Sequence, residues 1–515
     1  MTRTALPWTP AADADAAGAD RCIRFLLDGA VHQIDDVAPT KSVLSYVREN
    51  LRRTGTKEGC AEGDCGACTL VIAELGAGNV LRTRTVNSCL QLVPFLDGRA
   101  LFTVESLKNP DQSLHPVQEA MVDGHGSQCG FCTPGFVMSL FGLYVDCVRD
   151  GSTAIPDDRT IRTSITGNLC RCTGYRPIID AAKRMFDLPR VGFDRDSLVK
   201  QLQSVRRQRS LEYESDGYHF SAPRTLAELH DLRAQFPQAT LVAGNTDVGL
   251  WINKQLREIP HLICLSEVVE LKVIATSASA VRIGAAVPLE DAYAALASHY
   301  PELMEMWERF ASPPIRNAGT LGGNVANGSP IGDSMPALIV LGAQVVLSSI
   351  RGARTIPLEA LYVGYQKKSM LVDEIVEAIE VPMPVPMPVS AMHFRTYKVS
   401  KRYDSDISAV CAAFAIHLDA ESGRIAECRI AYGGMAATPK RATKSEDALR
   451  GAEWDEVALR SAMKALAQDF EPLSDLRASA DYRLMVAQNL LERFHLETRP
   501  ATPLTSAEVS VFASG

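Results

Sequence analysis

The first group of residues that could carry chemistry is a set of cysteines near the N-terminus. Cys60, Cys65 and Cys68 have C-x4-C-x2-C spacing, and Cys89 supplies a fourth sulfur. Glycines within the loop permit the unusual dihedrals and close approach that converging thiolates need. The spacing is that of plant-type ferredoxins, whereas structural zinc sites typically use C-x2–4-C pairs separated by a dozen or more residues. The pattern therefore favours a [2Fe–2S] cluster over zinc.

A second group combines Cys129 and Cys132, spaced C-x2-C, with Cys170 and Cys172, spaced C-x-C. Taken alone, the first pair is also compatible with a redox dithiol and the second with zinc. The threonine and proline that follow Cys132 are typical of an N-cap and a first helical position. Each pair thus precedes a predicted helix, where the positive end of the helix dipole favours thiolates and an anionic cluster.

The remaining five cysteines are scattered, and we do not predict them to be ligands; they are Cys22, Cys147, Cys264, Cys411 and Cys428. Cys147 falls on the apolar face of a predicted helix, and Cys428 alternates with polar residues in a predicted strand. Both positions indicate core packing. Because no basic region followed by an apolar run marks a secretory signal, we expect a cytoplasmic protein, in which disulfides are rare.

Length and composition restrict the class of protein. A chain of 515 residues is too long for one hydrophobic core, and 46% apolar with 22% charged residues is ordinary for globular proteins. The net charge of −8, without clustered Lys and Arg, argues against a nucleic-acid partner. The longest apolar stretch, residues 336–347, is too short to span a membrane.

Hydrophobic periodicity predicts the elements that must position these cysteines. The predicted strands cover residues 21–27, 69–73, 239–242, 262–265, 281–283, 407–418 and 425–432, the last two paired across a turn at 419–423. The predicted helices cover residues 42–52, 116–122, 136–148, 177–186, 455–469 and 482–494. The charged stretch 190–216 indicates a solvated linker or helix face in preference to a binding patch.

The residues around the cysteines carry a family resemblance. Residues 128–135 (QCGFCTPG) and 167–177 (GNLCRCTGYRP) closely resemble the second [2Fe–2S] domain of the molybdenum hydroxylases. Residues 59–68 (GCAEGDCGAC) resemble the ferredoxin-like domain of the same family, which includes xanthine dehydrogenases, aldehyde oxidases and carbon monoxide dehydrogenases. The resemblance implies that all eight clustered cysteines bind iron.

Two glycine-rich loops are the candidates for a flavin site. No G-x-G-x-x-G follows a strand and there is no Walker A motif, but residues 242–247 (VAGNTD) and 319–324 (GTLGGN) can expose N–H groups to a pyrophosphate. Ordinary turns are an equally good interpretation from the residues alone. In order and spacing, however, both loops resemble the FAD-binding domain of the molybdenum hydroxylases.

That resemblance implies FAD contacts at matching positions. They are Leu241, Val242, Ala243, Gly244, Asn245, Thr246, Asp247, Phe310, Thr320, Gly323, Asn324, Asp333 and Lys398. Phe310 would lie against the cofactor rings, the alternative being a plain core aromatic. Lys398 would reach FAD from the C-terminal domain, the alternative being a solvated lysine.

A further segment bears on the electron acceptor. Residues 401–407 (KRYDSDI) resemble a family loop near the flavin that helps decide whether NAD⁺ or oxygen collects electrons. Asp404 and Asp406 keep its acidic character, which favours NAD⁺. Ser405 stands where dehydrogenases of the family can carry another acid.

The predicted fold class is multidomain α+β. It comprises a ferredoxin-like β-grasp [2Fe–2S] domain, a helical-bundle [2Fe–2S] domain, an α/β FAD-binding domain of the vanillyl-alcohol-oxidase type, and a C-terminal antiparallel sheet plus helices. The predicted borders are 1–20 for a disordered extension, 21–105 and 106–189 for the cluster domains, 190–217 for a linker, 218–388 for the FAD-binding domain, 389–500 for the C-terminal flavoprotein domain and 501–515 for a tail.

The resemblance implies a role in electron transfer. We expect a molybdopterin-binding large subunit as partner, in an (αβ)2 heterotetramer, because no molybdopterin-binding region is recognised in the chain. Xanthine dehydrogenases (EC 1.17.1.4-like) fuse these domains in this order, which implies hypoxanthine or xanthine oxidation on the partner, FAD here and NAD⁺ as acceptor. No catalytic acid or base is then expected in this chain. The alternatives are another molybdenum hydroxylase, acting on aldehydes or N-heterocycles, and a zinc-stabilised binding module.

Overall fold

The computed structural model describes residues 21–109, 111, 113–148, 154–192, 194–384 and 391–509. The extension predicted over residues 1–20, the end of the tail predicted over 501–515 and most of the Pro/Met-rich stretch near 381–389 lie outside these ranges. No helix in the described ranges is long and apolar enough to cross a membrane.

The secondary structure consists of twenty strands and sixteen helices in the described residues, besides short 3₁₀ and π segments. The strands are β1 Ile23–Leu27, β2 Ala30–Ile34, β3 Thr69–Leu75, β4 Leu81–Asn87, β5 Ala100–Phe102, β6 Leu211–Ser215, β7 Tyr218–Ala222, β8 Thr240–Val242, β9 His261–Cys264, β10 Ile274–Thr276, β11 Ala280–Gly284, β12 Gln344–Ser349, β13 Gly352–Pro357, β14 Tyr362–Gly364, β15 Lys367–Lys368, β16 Ile375–Pro382, β17 Ala391–Val399, β18 Val410–Leu418, β19 Ile425–Gly433 and β20 Lys440–Arg441. The helices are α1 Val43–Ser45, α2 Pro116–Asp123, α3 Thr133–Val148, α4 Asp158–Ser164, α5 Arg176–Arg184, α6 Arg195–Val205, α7 Leu226–Gln235, α8 Val248–Asn253, α9 Leu289–Ala297, α10 Met304–Arg309, α11 Pro313–Ala318, α12 Leu321–Asn327, α13 Ser334–Val340, α14 Thr443–Leu449, α15 Glu456–Asp469 and α16 Ala480–Thr498.

These elements form two compact units. The first unit comprises the chain up to Val269 together with Ser312–Gly319, and the second comprises Glu270–Ala311 and the chain from Thr320 onward. The multidomain α+β class predicted from the sequence is confirmed.

The first sheet of the first unit has the order β2-β1-β5-β3-β4. Strands β1 and β5 pair in parallel, while β1–β2, β3–β4 and β3–β5 pair antiparallel. The helix predicted over residues 42–52 is instead α1 followed by a π segment, Tyr46–Asn50. The loop with the first cysteines lies between this segment and β3.

Helices α2 to α5 form a layer around the second cysteine group. Helix α3 is buried on every side from Gly135 to Val145, as expected of a helix that is apolar all round. Cys147 is half-buried and packs against the edge of that core, a contact that agrees with a packing role. The predicted N-cap at Thr133 is wrong by one residue: the helix begins at Thr133, and the carbonyl of Cys132 accepts the first-turn bond from the Phe136 N–H.

The stretch predicted as a linker at residues 190–217 has regular structure. It contains α6, which buries Leu198 and Leu202, and strand β6. Arg207 within it is 5% exposed and pairs with Asp97 at 2.7 Å. This stretch is therefore not a linker, because most of it forms a helix and a strand. Asp196 and Lys200 of α6 are exposed, which agrees with the alternative of a solvated helix face, whereas Arg207 is paired with a residue far away in sequence.

The second sheet of the first unit has the order β6-β7-β9-β8, with β7, β9 and β8 parallel. The first glycine-rich loop follows the C-terminal end of β8 and leads into α8. Ligands of open α/β sheets bind outside the carboxyl ends of their strands, and this loop has that position.

The second unit contains a five-stranded sheet, β10-β11-β16-β12-β13, and a four-stranded antiparallel sheet, β17-β18-β19-β20. The predicted hairpin is confirmed, since β18 and β19 pair antiparallel across residues 419–423. Helices α15 and α16 match the two predicted amphipathic helices within a few residues. Cys428 is buried in this domain, as its alternation with polar residues predicted.

Candidate iron–sulfur and flavin sites

The first cysteine group converges in the first unit. The Sγ atoms of Cys68 and Cys89 are 3.3 Å apart. Thiol hydrogen bonds from Cys65 and Cys89 lower the pKa of Cys60, and the contact with Cys60 raises the pKa of Cys65. A hydrogen bond with Cys89 likewise lowers the pKa of Cys68. Hydrogen bonding between the thiols thus lowers the pKa of Cys60 and Cys68 and raises the pKa of Cys65 and Cys89. The four sulfurs are gathered in one place, as a cluster with thiolate ligands requires.

The fit of this site to a cluster rests on its donor set and its glycines. A Cβ at Gly59 would lie 2.8 Å from the Cys65 Sγ, and Gly66, at φ +66°, has no space for one beside the Gly167 carbonyl. No group of three or more histidine, cysteine or acidic side chains in the described chain is spaced to hold a metal ion as it stands. Two thiolates bound at ~2.3 Å to one tetrahedral metal ion lie about 3.8 Å apart, so the 3.3 Å contact has to widen slightly.

The second cysteine group pairs its sulfurs across two helix starts. Cys129 and Cys172 are both exposed and hydrogen-bond with each other. Cys132 and Cys170 are half-buried and also hydrogen-bond, and burial raises the pKa of Cys132 to about 12. Since α3 begins after Cys132 and α5 soon after Cys172, the structure brings the pairs together as the sequence indicated.

The two cysteine groups are in direct contact through their loops. The Leu169 N–H donates to the Cys65 carbonyl at 3.0 Å, and the Asn168 side chain donates to the Gly66 carbonyl at 3.0 Å. A Cβ on Gly135 would lie 2.2 Å from the same Gly66 carbonyl. A hydrogen bond therefore links Cys65 of the first group to Leu169, the residue before Cys170 of the second group. This short connection suits electron exchange between the two groups.

The first glycine-rich loop is held tightly within the first unit. A Cβ on Gly244 would lie 1.8 Å from the Ala318 carbonyl, so only glycine permits this approach of two main chains. Asn245 adopts φ +58° and is buried; its amide donates to the Leu90 carbonyl. Its Oδ1 is buried without a hydrogen-bond partner in the described chain. A glycine cradle beside an unsatisfied acceptor suits a ligand with hydrogen-bond donors. Leu241, Ala243, Thr246 and Asp247 are half-buried, and Val242 is buried.

The second glycine-rich loop begins a helix in the second unit. Thr320 is buried and caps α12, accepting a hydrogen bond from the Gly323 N–H at 3.0 Å. Gly323 itself is exposed, and the Oδ1 atom of half-buried Asn324 has no hydrogen-bond partner among the described residues. The loop thus combines an open helix start with an unsatisfied polar atom.

Asp333 and Lys398 form a buried ion pair in the second unit. The Lys398 Nζ lies 2.5 Å from the Asp333 Oδ2, and Lys398 is 5% exposed. Ser408 links the two, accepting from Lys398 at 2.9 Å and donating to the Asp333 Oδ1 at 2.6 Å. The alternative of a solvated lysine at position 398 is therefore wrong. The ion pair also explains why a charge can be buried here.

The acidic loop at residues 401–407 is ordered by one of its own charges. Asp406 accepts from the Arg402 backbone N–H at 2.7 Å and pairs with its guanidinium. Arg402 holds the pKa of Asp406 below its usual range although burial opposes this. The Arg309 guanidinium stacks on Tyr403 and donates to its carbonyl.

Phe310 is half-buried, and its ring stacks with that of Tyr293 at a centroid distance of 6.1 Å. Phe310 therefore has a core contact and an accessible edge.

Sequence reasoning missed several residues that support these sites. Asn168 lies two residues before Cys170, within the run that resembles the molybdenum hydroxylases, and this position was the signal that could have found it. Gln91, which donates to the Gly244 carbonyl at 3.1 Å, and Ser408 carry no such signal. Asn253 carries none either, although its amide donates to the Cys89 carbonyl at 2.7 Å. Their partners lie far away in sequence.

Replacing Lys398 with Ala should destabilise the second unit and reduce its flavin content. The change leaves the Asp333 carboxylate buried without its counter-charge, which typically costs about 3–5 kcal/mol. We expect a lower thermal unfolding temperature and less FAD per chain, measured by calorimetry and absorbance. Lys367→Ala, an exposed lysine of the same unit, is the control. Unchanged stability and FAD content in Lys398→Ala would contradict the structural role of the ion pair.

Comparison with known proteins identifies three domains. Residues 103–183 match a [2Fe-2S] binding domain, and residues 214–384 match the FAD binding domain in molybdopterin dehydrogenase. Residues 395–498 match the CO dehydrogenase flavoprotein C-terminal domain. The second cysteine group and both glycine-rich loops fall within the first two ranges.

Among curated proteins, similar relatives are xanthine dehydrogenases. The chain is 34% identical over 472 residues to the xanthine dehydrogenase of Drosophila subobscura, a match that covers 80% of this chain and 34% of the relative. It is 29% identical over 550 residues to the xanthine dehydrogenase/oxidase of Gallus gallus, covering 92% and 40%. The chain thus spans little more than a third of the length of these relatives.

Two solved structures are similar to part of the chain. A chain of quinoline 2-oxidoreductase from Pseudomonas putida 86 is 27% identical with a TM-score of 0.50, covering 56% of this chain and 98% of that one. A chain of carbon monoxide dehydrogenase from Hydrogenophaga pseudoflava is 27% identical with the same TM-score, covering 54% and 95%.

Proposed function

This chain carries iron–sulfur and flavin domains of the molybdenum hydroxylase family, and we propose a function on that basis. The chain is the electron-transfer subunit of an NAD⁺-dependent xanthine dehydrogenase. The observation that carries the proposal is the convergence of eight cysteines in two adjoining groups. A zinc-stabilised binding module explains neither that adjacency nor the flavin domain.

The eight cysteines are proposed as the ligands of two clusters. Cys60, Cys65, Cys68 and Cys89 would hold the first, and Cys129, Cys132, Cys170 and Cys172 the second. The exposed pair of the second group, Cys129 and Cys172, would bring that cluster to the surface of its domain. We propose that the molybdopterin-binding partner docks where these ligands are exposed. An (αβ)2 assembly remains part of the proposal.

We propose that FAD binds at the positions expected from the sequence. In the first unit, residues 241–247 would meet the FAD through main-chain groups that Gly244 leaves accessible. In the second unit, Thr320, Gly323, Asn324 and Asp333 would hold polar parts of the cofactor, while Phe310 would pack on its rings. Lys398 would reach FAD from the C-terminal domain, and its buried ion pair would also position Asp333. When bound, the clusters carry single electrons and FAD exchanges one or two, which connects one-electron donors to a two-electron acceptor.

The domain borders expected from the sequence are proposed with the same function. Residues 21–105 and 106–189 would be the two cluster domains, 218–388 the FAD-binding domain and 389–500 the C-terminal flavoprotein domain. The matched ranges 103–183, 214–384 and 395–498 support the last three.

Metal and flavin analysis tests the cofactors. The purified chain should contain roughly four irons and one FAD, as two dinuclear clusters and one flavin require. Its reduced form should give two electron paramagnetic resonance signals, because the two ligand sets differ in exposure: the first is half-buried or buried, whereas Cys129 and Cys172 of the second are exposed. Stoichiometric zinc in place of iron would contradict the proposal.

Turnover by the co-purified complex tests the substrate. We expect oxidation of xanthine and hypoxanthine, supported by the similarity to xanthine dehydrogenases over most of this chain. The chain without its partner should not oxidise xanthine but should pass electrons from NADH to an artificial dye.

The second candidate function is the same electron-transfer role in a hydroxylase of N-heterocycles or aldehydes, which the similarity to quinoline 2-oxidoreductase supports. Turnover of quinoline or an aldehyde without xanthine turnover would favour it.

The reduced complex should be reoxidised faster by NAD⁺ than by O₂. This expectation rests on Asp404 and Asp406, whose charge can affect both flavin potential and nicotinamide binding. Stopped-flow reoxidation measures the two rates directly. Asp404→Asn should lower the ratio of the NAD⁺ rate to the O₂ rate. Asp419 is exposed in the turn between β18 and β19, and Asp419→Asn should leave this ratio unchanged. Faster reoxidation by O₂ in the unaltered complex would identify an oxidase.

A further inference from the structure

Helix α8 lies against the segments that carry the first cysteine group. At its C-terminal end, the Asn253 side chain donates to the Cys89 carbonyl at 2.7 Å and to the Ala61 carbonyl at 3.3 Å. These carbonyls belong to the two separate segments that supply the thiols, the loop around Cys60 and the turn at Cys89. One amide therefore ties both segments together.

The opposite end of the same helix holds the first glycine-rich loop. Asn245, in the turn before α8, donates its amide to the Leu90 carbonyl, next to the peptide that Asn253 contacts. The Gln91 side chain donates in return to the Gly244 carbonyl at 3.1 Å. The turn at residues 89–91 is thus bound at both sides by the loop and by the helix that follows it.

The middle of α8 packs too closely on this turn to move independently. A Cβ on Gly249 would lie 3.1 Å from the Leu90 carbonyl and 3.2 Å from the Leu90 side chain. Leu250 packs against the small apolar cluster formed by Leu44, Cys68, Cys89 and Leu90. Close-packed contacts of this kind transmit small displacements instead of absorbing them.

From these contacts we propose that α8 couples FAD binding to the environment of the first cluster, with Asn253 as the positioning residue. The inference rests on the proposed cofactors and adds a thermodynamic link between them. A ligand that orders residues 243–247 also fixes α8, and α8 fixes the peptide groups beside Cys60 and Cys89. Because coupling is reciprocal, loss of the cluster should weaken FAD binding by the same free energy by which FAD stabilises the cluster site.

The test compares the full chain with and without FAD. The midpoint potential of each cluster is measured by redox titration followed by electron paramagnetic resonance, before and after FAD is removed by high-salt dialysis. FAD affinity is then measured by fluorescence titration of the flavin-free chain. The variants are Asn253→Ala, which leaves both carbonyls without their donor, and Gln255→Ala, an exposed control two residues further on.

In the unaltered chain, removal of FAD should shift the potential of the first cluster and leave that of the second nearly unchanged. Asn253→Ala should reduce this shift and weaken FAD binding roughly tenfold, although its side chain belongs to neither proposed ligand set. Cys65→Ser should weaken FAD binding by a similar factor, and Gln255→Ala should behave as the unaltered chain.

Two results would overturn the inference. One is an unaltered chain whose first cluster has the same potential with and without FAD, a measurement that needs no variant to fold. The other is an Asn253→Ala chain with the same shift and the same FAD affinity as the unaltered chain. Either result with iron and FAD present leaves the proposed function standing, whereas zinc in place of iron overturns both.

Discussion

Replacing Cys65 with Ser should abolish the first cluster and leave the second, and replacing Cys170 with Ser should do the reverse. Each variant should lose roughly two of four irons and one of the two electron paramagnetic resonance signals, because a hydroxyl is a much poorer iron ligand than a thiolate. Iron analysis and spectra of the reduced chain measure both quantities. The Cys65 thiol hydrogen-bonds to Cys60 of its own group, which is why the effects should separate.

Two other cysteines provide matched controls for these substitutions. Cys147→Ala and Cys428→Ala should leave both signals intact, since their side chains pack against apolar cores. The expected cost is a loss of stability of about 1 kcal/mol from lost packing. If Cys147→Ala loses a cluster signal, the ligand assignment in the second group is incorrect.

The second large effect is expected for Gly244→Ala, which should abolish or greatly weaken FAD binding. The added Cβ would lie 1.8 Å from the Ala318 carbonyl and 2.7 Å from the Gly319 Cα. Both neighbours are main-chain atoms, so the loop at residues 242–247 must shift as a whole. Overpacking of this kind costs typically 1–3 kcal/mol, and we expect FAD affinity to fall roughly tenfold to a hundredfold.

Flavin content and fluorescence titration measure this loss, and the two cluster signals report whether the rest of the unit remains folded. Gly192→Ala is the control, because a Cβ at Gly192 would meet no atom within 4 Å. Normal FAD affinity in Gly244→Ala would mean that this loop does not approach the cofactor.

Local sequence predicted the regular elements well where one pattern dominates. Helix α15 follows directly from apolar residues at helical spacing. Helix α3 is apolar and buried all round, and strand β19 is buried without interruption from Ile430 to Gly433, so a single periodic pattern does not describe either of them. The segment at residues 42–52 was harder, because its helix changes to a π segment after Ser45. The N-cap of α3 lies one residue earlier than predicted, because the Cys132 carbonyl accepts the first-turn hydrogen bond from the Phe136 N–H.

The sequence by itself indicated the two candidate cluster ligand sets, the first through its C-x4-C-x2-C spacing and the second through its resemblance to the molybdenum hydroxylases. The tertiary structure alone decided how those loops meet each other and the flavin loop. The contacts of Asn168 with Gly66, of Asn253 with Cys89 and of Lys398 with Asp333 join residues 102, 164 and 65 positions apart. Arg207, in a stretch that local charge marked as solvated, is likewise buried against Asp97. A polar side chain carries no mark of a distant partner in its own neighbourhood, so only the folded chain shows which of them are bound.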